Sequence, residues 1–169
     1  MDFPLTPFTG SPDASQLESL RVLASAGNAV DGHPPFNDQT WAALRAGDHG
    51  VRGAFIPSGD AFAAAAVITD LEEPGPNGAV GTGALVELVV HPVARGRGLG
   101  AALATWAVEG LSPEAPLQAW SHGGHPAAAH LAQQLGLRPT RELWVMAVSP
   151  EKVTSLPAAS FPDSVTLDT

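Results

Sequence analysis

The junction at residues 84–100 restricts the fold more than any other part of the chain. An apolar run, broken only by Glu87, reaches Val90, and His91-Pro92 ends it. Arg95-Gly96-Arg97-Gly98-Leu99-Gly100 follows, and then a stretch with Leu103, Trp106 and Ala107 on one side. The first part reads as a strand and the last as a helix over 99–110. A strand that feeds a helix through a glycine turn leaves several backbone N–H groups without internal partners, aimed at one place. Glycines at 96, 98 and 100 permit positive φ and close approach of a ligand, and the helix dipole adds a positive end. Phosphate oxygens suit such a cradle, and Arg95 and Arg97 can add charge-assisted bonds. The same glycines also suit a plain tight turn, so the run alone leaves both readings open. A Walker loop is excluded because no Gly-Lys-Ser/Thr follows, and no register gives Gly-x-Gly-x-x-Gly.

Charge narrows the ligand. The formal net charge is -9 with eight Lys and Arg, a poor match to nucleic acid, which demands a basic face. Two of the eight nevertheless lie in one six-residue loop, which points to a small phosphorylated ligand. The absence of Cys removes disulfides, thiolate metal sites and a thiol nucleophile. At 169 residues and 44% apolar composition the chain suits one core. No apolar run approaches the roughly 20 residues of a membrane span, and residues 1–10 lack the pattern of a secretory signal, so a cytoplasmic protein is expected, without membrane partners.

Along the chain, Ser11-Pro12 predicts a helix start with Ser11 as N-cap, the helix ending before Gly32. Asn37 predicts a second N-cap, for a short helix closed by Gly47, so the first third reads as helical. Strands are expected at 51–56 and 61–69 around the turn Pro57-Ser58-Gly59-Asp60, and a surface loop at 72–83. Further on come a strand at 117–121, a helix at 126–135, and a strand at 141–148 whose residues alternate. Trp41, Trp106, Trp120 and Trp144 hold periodic apolar positions and are expected in the core. From Pro150 the composition is that of a linker, with Ser164-Val165-Thr166-Leu167 like the start of another strand. His122, His125 and His130 do not have metal-ligand spacing, and no metal is expected.

The string from Leu88 to Gly100, including Val89-Val90-His91-Pro92 and Arg95-Gly96-Arg97-Gly98, resembles the acyl-CoA motif of the GCN5-related (GNAT) N-acetyltransferases. The resemblance implies an α/β (α+β) fold with a mixed central sheet flanked by helices, and acetyl-CoA as cosubstrate. It implies contacts from Leu88, Val89 and Val90 to the pantetheine arm, and from Gly96, Arg97, Gly98, Leu99, Gly100 and Ala101 to the pyrophosphate. Ala29-Val30-Asp31-Gly32, Trp120-Ser121-His122-Gly123, Leu135-Gly136-Leu137 and Arg141-Glu142-Leu143 with Met146 extend the resemblance to the first half of the mycothiol synthases. That family joins two such domains and acetylates the cysteinyl amine of a cysteinyl-glucosaminyl-inositol (Cys-GlcN-Ins). By this resemblance residues 1–149 form one acetyl-CoA-binding GNAT domain, and 150–169 are the linker and opening of a second GNAT domain, a partner in the same chain. The whole is expected to act as a monomer.

Amine acetylation needs a base for the ammonium and commonly an acid for the departing thiolate. In many relatives a Tyr is that acid, and its place here is held by Ala132; the chain has no Tyr. Hence no catalytic residue is assigned, and this half is expected to bind acetyl-CoA without turning it over. Glu87 is read as a surface or edge ion pair rather than a base. Asp38 matches an acidic substrate-binding position of the family's first domain, although a first-turn carboxylate stabilised by the helix dipole explains it equally. The alternative function is a stand-alone acetyltransferase for another small amine.

Overall fold

In the computed structural model, residues 3–47, 50–74, 80–112, 115–144 and 149 are described, with side chains left aside at 72–74 and 80–82. The elements are β1 (Thr6–Thr9), α1 (Ala14–Asp31), α2 (Asp38–Ala46), β2 (Val51–Ser58), β3 (Ala61–Pro74), β4 (Val80–Val90), α3 (Leu99–Glu109), β5 (Leu117–Ala119) and α4 (Pro126–Gln134). They form one sheet in the order β1-β2-β3-β4-β5. Its first four strands are antiparallel, and β5 is parallel to β4. This is the mixed sheet flanked by helices that the resemblance implied.

Strand alternation separates two apolar layers. Phe55, Ala65, Val67 and Val89 pack with Leu20 and Leu23 of α1 and Leu44 of α2. Ala54, Ile56, Ala64 and Ala66 pack with Leu99 and Leu103 of α3, and Ile68, Ala84 and Val86 with Ala107. The small residues along β2 and β3 let helices and neighbouring strands approach closely. Gly53 is the tightest case, since a Cβ there would stand 2.4 Å from the Ala66 carbonyl oxygen and 2.4 Å from the Phe8 ring. Gly53→Ala should therefore destabilise the protein by about 2 kcal/mol through overpacking; an unshifted denaturant midpoint would show that β1 yields freely.

Helix ends follow local chemistry. Gly32 and Gly47 close α1 and α2 in the left-handed region, at φ 74° and 71°, and Asn37 caps α2 by accepting from the Thr40 N–H. The α1 cap differs from the Ser11 expectation. Asp13 accepts from the Gln16 N–H while the Gln16 side chain accepts from the Asp13 N–H, a reciprocal capping box that satisfies two donors where a serine cap satisfies one. Ser11 instead donates to the Leu44 carbonyl at 2.7 Å, joining the α1 approach to the end of α2.

Four other expectations change. β1 interrupts the helical first third: it is a four-residue edge strand carrying Pro7, which an edge tolerates because its N–H side need not pair. Of the loop expected at 72–83, residues 72–74 and 80–83 continue the β3–β4 ladder, because backbone pairing does not require apolar side chains. Residues 75–79 lie outside the described residues. No strand forms over Arg141–Trp144, and 145–148 lie outside the description, as does the linker and strand expected from Pro150. Every helix and strand named above belongs to one compact unit, Met1–Arg138, with a second unit beginning at Pro139. Trp41 and Trp106 are half-buried, Trp41 edge-on to Phe36. Trp120 and Trp144 are 36% and 77% exposed, contrary to a core role; each lies outside the strands paired among the described residues. No described helix is long and apolar enough to cross a membrane.

Candidate functional site

The site begins where β4 and β5 part. β5 pairs with β4 only at Ala84, Leu85 and Val86. In a strand, successive residues direct their backbone groups to opposite neighbours. The Ala84 N–H reaches the Pro116 carbonyl on the β5 side, and the His91 N–H reaches Ala63 of β3. By this alternation Leu88 and Val90 direct their backbone polar groups into the gap beyond β5. Val89 turns the other way, paired with Ala65, and its side chain is buried against α1. Leu88 and Val90 thus form an edge that no described strand pairs, whereas Val89 does not.

That edge runs into the loop. A short 3-10 turn, Pro92–Ala94, carries the chain to Gly96 at φ 75° and Gly98 at φ 86°. Gly98 is the N-cap of α3, and no side chain caps the helix. The first helical bond to the cap runs from Ala102 N–H to the Gly98 carbonyl, so helix geometry leaves the N–H groups of Leu99, Gly100 and Ala101 pointing outward. Chain neighbours and the helix's own backbone aside, a Cβ on Gly96 would meet no described atom within 4 Å, and one on Gly98 would meet Phe3, at 3.9 Å. The loop is therefore an open cradle, anchored from beneath by the buried Leu99. α4 flanks it, with Leu131 3.5 Å from a Cβ placed on Gly100. Ala132, the next residue, leaves a methyl where the resemblance placed an acid.

The two loop arginines differ. Arg97 is exposed and, among the described residues, donates to the Val93 carbonyl at 3.3 Å. Arg95 holds Asp31 at the end of α1 through two parallel bonds, 2.8 and 2.7 Å, and its Nε donates to the Val90 carbonyl at 3.2 Å. The Arg95 guanidinium thus already faces a carboxylate. Hydrogen bonding from Arg95 holds the Asp31 carboxyl below the ordinary range, against a smaller opposing effect of burial, with weaker contributions from the Arg95, His125 and His33 charges. Asp31 raises the Arg95 pKa in turn. Because the folded-state pKa of Asp31 is depressed, its contribution is complete above about pH 4 and is lost as pH falls through the depressed value. Asp31→Asn should flatten that part of the acid-unfolding profile; an unchanged acid limb would contradict the pairing.

Glu87 is not a surface ion pair. It is 2% exposed, because the alternation that frees Leu88 points Glu87 under α2. Oε1 accepts from the Asn37 N–H and Nδ2, both at 3.2 Å, and Oε2 from the Thr40 hydroxyl at 2.5 Å. His122, just after β5, sets Nε2 3.2 Å from Oε1. One carboxylate therefore joins the α2 N-terminus, β4 and the turn beyond β5. Sequence reasoning missed this hub, although a lone acid in an apolar strand is its signal. Asp38, one residue after the N-cap Asn37, is exposed in the first turn of α2. His125 caps α4 by accepting from the Ala127 N–H at 3.1 Å.

The family model described as Acetyltransferase (GNAT) family matches residues 17–137. Two similar proteins are mycothiol acetyltransferases. That of Nocardioides sp. is 42% identical over 154 residues, covering 91% of this chain and 45% of that protein. That of Paenarthrobacter aurescens is 37% identical over 175 residues, covering 98% and 52%. The chain thus spans about half the length of these curated relatives. Among solved structures, a transcriptional regulator from Bacillus halodurans aligns at TM-score 0.60 and 18% identity, over 86% of this chain and all of that one. A predicted acetyltransferase with acetyl-CoA from Clostridium acetobutylicum aligns at 0.54 and 14%, over 85% and 96%. These likenesses establish the fold.

Proposed function

From the membership of this chain in the acetyltransferase (GNAT) family, we propose that it binds acetyl-CoA along the free edge of β4 and over the loop at residues 95–100, as the cosubstrate-holding half of a mycothiol acetyltransferase. The observation that carries this reading is the continuity of the Leu88 and Val90 edge with the outward N–H groups of Leu99, Gly100 and Ala101. An extended amide-bearing arm can pair with the edge, while a pyrophosphate takes the loop. Val89 then supports the edge from the core side, and Arg97 supplies charge. Likeness to the mycothiol acetyltransferases over nearly the whole of this chain and half of theirs supports the assignment.

Binding and transfer separate in this reading. Departure of a CoA thiolate is helped by an acid, and Ala132 offers no proton. Both Glu87 oxygens already accept bonds within the protein, so this carboxylate is a poor base. Transfer to the cysteinyl amine of Cys-GlcN-Ins then belongs to a second GNAT domain, with exposed Asp38 available to the sugar–inositol hydroxyls. Acetyl-CoA at a hundred times its Kd should stabilise the chain by about 2.7 kcal/mol, visible as a rise in melting temperature. No rise would overturn the binding reading. Sustained release of CoA thiol with Cys-GlcN-Ins or another small amine would favour a self-sufficient acetyltransferase.

A further inference from the structure

Resting on the acetyl-CoA reading, we propose that Arg95 is a positioning residue: clamped by Asp31 and bonded to the end of β4, it fixes the loop against the strand edge and leaves the anion to Arg97. The guanidinium carries five N–H donors in a rigid fork. Nη1 and Nη2 meet the two Asp31 oxygens, and Nε meets the Val90 carbonyl. One side chain thus ties together three pieces: the last residue of α1, the last residue of β4, and the first residue of the loop. Each end of the clamp is fixed, since Asp31 precedes the left-handed Gly32 and Val90 is paired to Ala64.

Electrostatics favours this division of work. A carboxylate beside a direct phosphate ligand would repel the phosphate and neutralise its cation, whereas beside a positioning arginine it supplies the grip. Arg97, exposed and bonded among the described residues to the uncharged Val93 carbonyl, keeps its charge available. The arginine clamp also sets the composition of the edge. With the Val90 carbonyl occupied by Nε, the groups facing the gap are the Leu88 N–H and C=O and the Val90 N–H.

The two roles predict opposite signs for one substitution. If Arg95 touches phosphate, Asp31→Asn removes a nearby anion and frees a cation, so acetyl-CoA binds more tightly. If Arg95 positions, Asp31→Asn loosens the loop and weakens acetyl-CoA by about tenfold, Arg95→Gln does the same, and the double variant is little worse than either because both break one unit. Asp31→Glu, which keeps the carboxylate, should recover most of the affinity, and Arg97→Gln should add its own loss. Acetyl-pantetheine, which lacks the pyrophosphate, should lose much less than acetyl-CoA. Calorimetric titration of these variants with both ligands decides the matter, and equal or tighter binding by Asp31→Asn overturns the proposal. Hydrogen exchange of the ligand-free chain separates this from the functional reading: Asp31→Asn should speed exchange at the Arg95 and Ala102 amides, which are bonded to the Pro92 and Gly98 carbonyls on either side of the loop, and unchanged exchange overturns the clamp even if the wild type fails to bind acetyl-CoA.

Discussion

Glu87→Ala is expected to lower the unfolding free energy by about 2–4 kcal/mol, the largest stability effect of any single replacement considered. The Asn37 N–H, its side-chain amide and the Thr40 hydroxyl all donate to this carboxylate, and truncation strands them beside an apolar layer. Glu87→Gln is the sharper variant. It keeps the volume but places an amide donor facing the Asn37 N–H, which lies 3.4 Å from Oε2, and obliges the Thr40 hydroxyl to accept instead of donate, so it should lose about 1–2 kcal/mol. Denaturant midpoints at a constant slope measure both. If Glu87→Ala stays close to the wild-type midpoint, the carboxylate is not the hub that joins α2, β4 and the turn at His122.

Gly98→Val should have the largest effect on ligand binding, weakening acetyl-CoA by about a hundredfold or more, which is about 2.7 kcal/mol. At φ 86° a β-branched residue is strongly disfavoured, so the α3 N-terminus must shift or strain. Its side chain would also enter the space where, chain neighbours and the helix's own backbone aside, the nearest described atom to a Cβ belongs to the Phe3 ring, at 3.9 Å, the space assigned to the ligand. Binding is then blocked while most of the core is untouched, and unfolding should remain cooperative. Unchanged affinity in a folded Gly98→Val protein would remove the loop from the site.

The strand, glycine loop and helix were legible because their signals are local: apolar run, Pro stop, glycines, then helical spacing. Asn37 and the glycine stops of α1 and α2 were legible for the same reason. The partners of Glu87 and Arg95 were not. Asp31 lies 64 residues from Arg95, and Asn37 lies 50 from Glu87, separations at which sequence spacing says nothing about contact. Glu87 was read as a surface or edge ion pair because a lone acid in a strand tells only that one face differs. Which face is covered depends on α2 lying over it. β1 was missed because four residues with a proline carry no periodicity. The ladder beyond Glu72 was missed because paired backbones do not mark their side chains.

The same contrast bears on the site. Continuity of the β4 edge with the loop, foreshadowed by the order of residues, takes definite form once β5 is seen to leave at Val86. The alternation then separates Leu88 and Val90 from Val89, three neighbours that the resemblance treats alike. It also buries Glu87 next to that edge, where the carboxylate serves the fold through Asn37 and Thr40. In the proposed function this half holds acetyl-CoA without spending it.

The most direct measurement is a calorimetric titration of the wild-type chain with acetyl-CoA, followed in the same sample by Cys-GlcN-Ins and a thiol-release reading. The account predicts saturable binding at one site and no sustained release of CoA. Absence of binding would contradict its first half, and steady turnover would contradict its second.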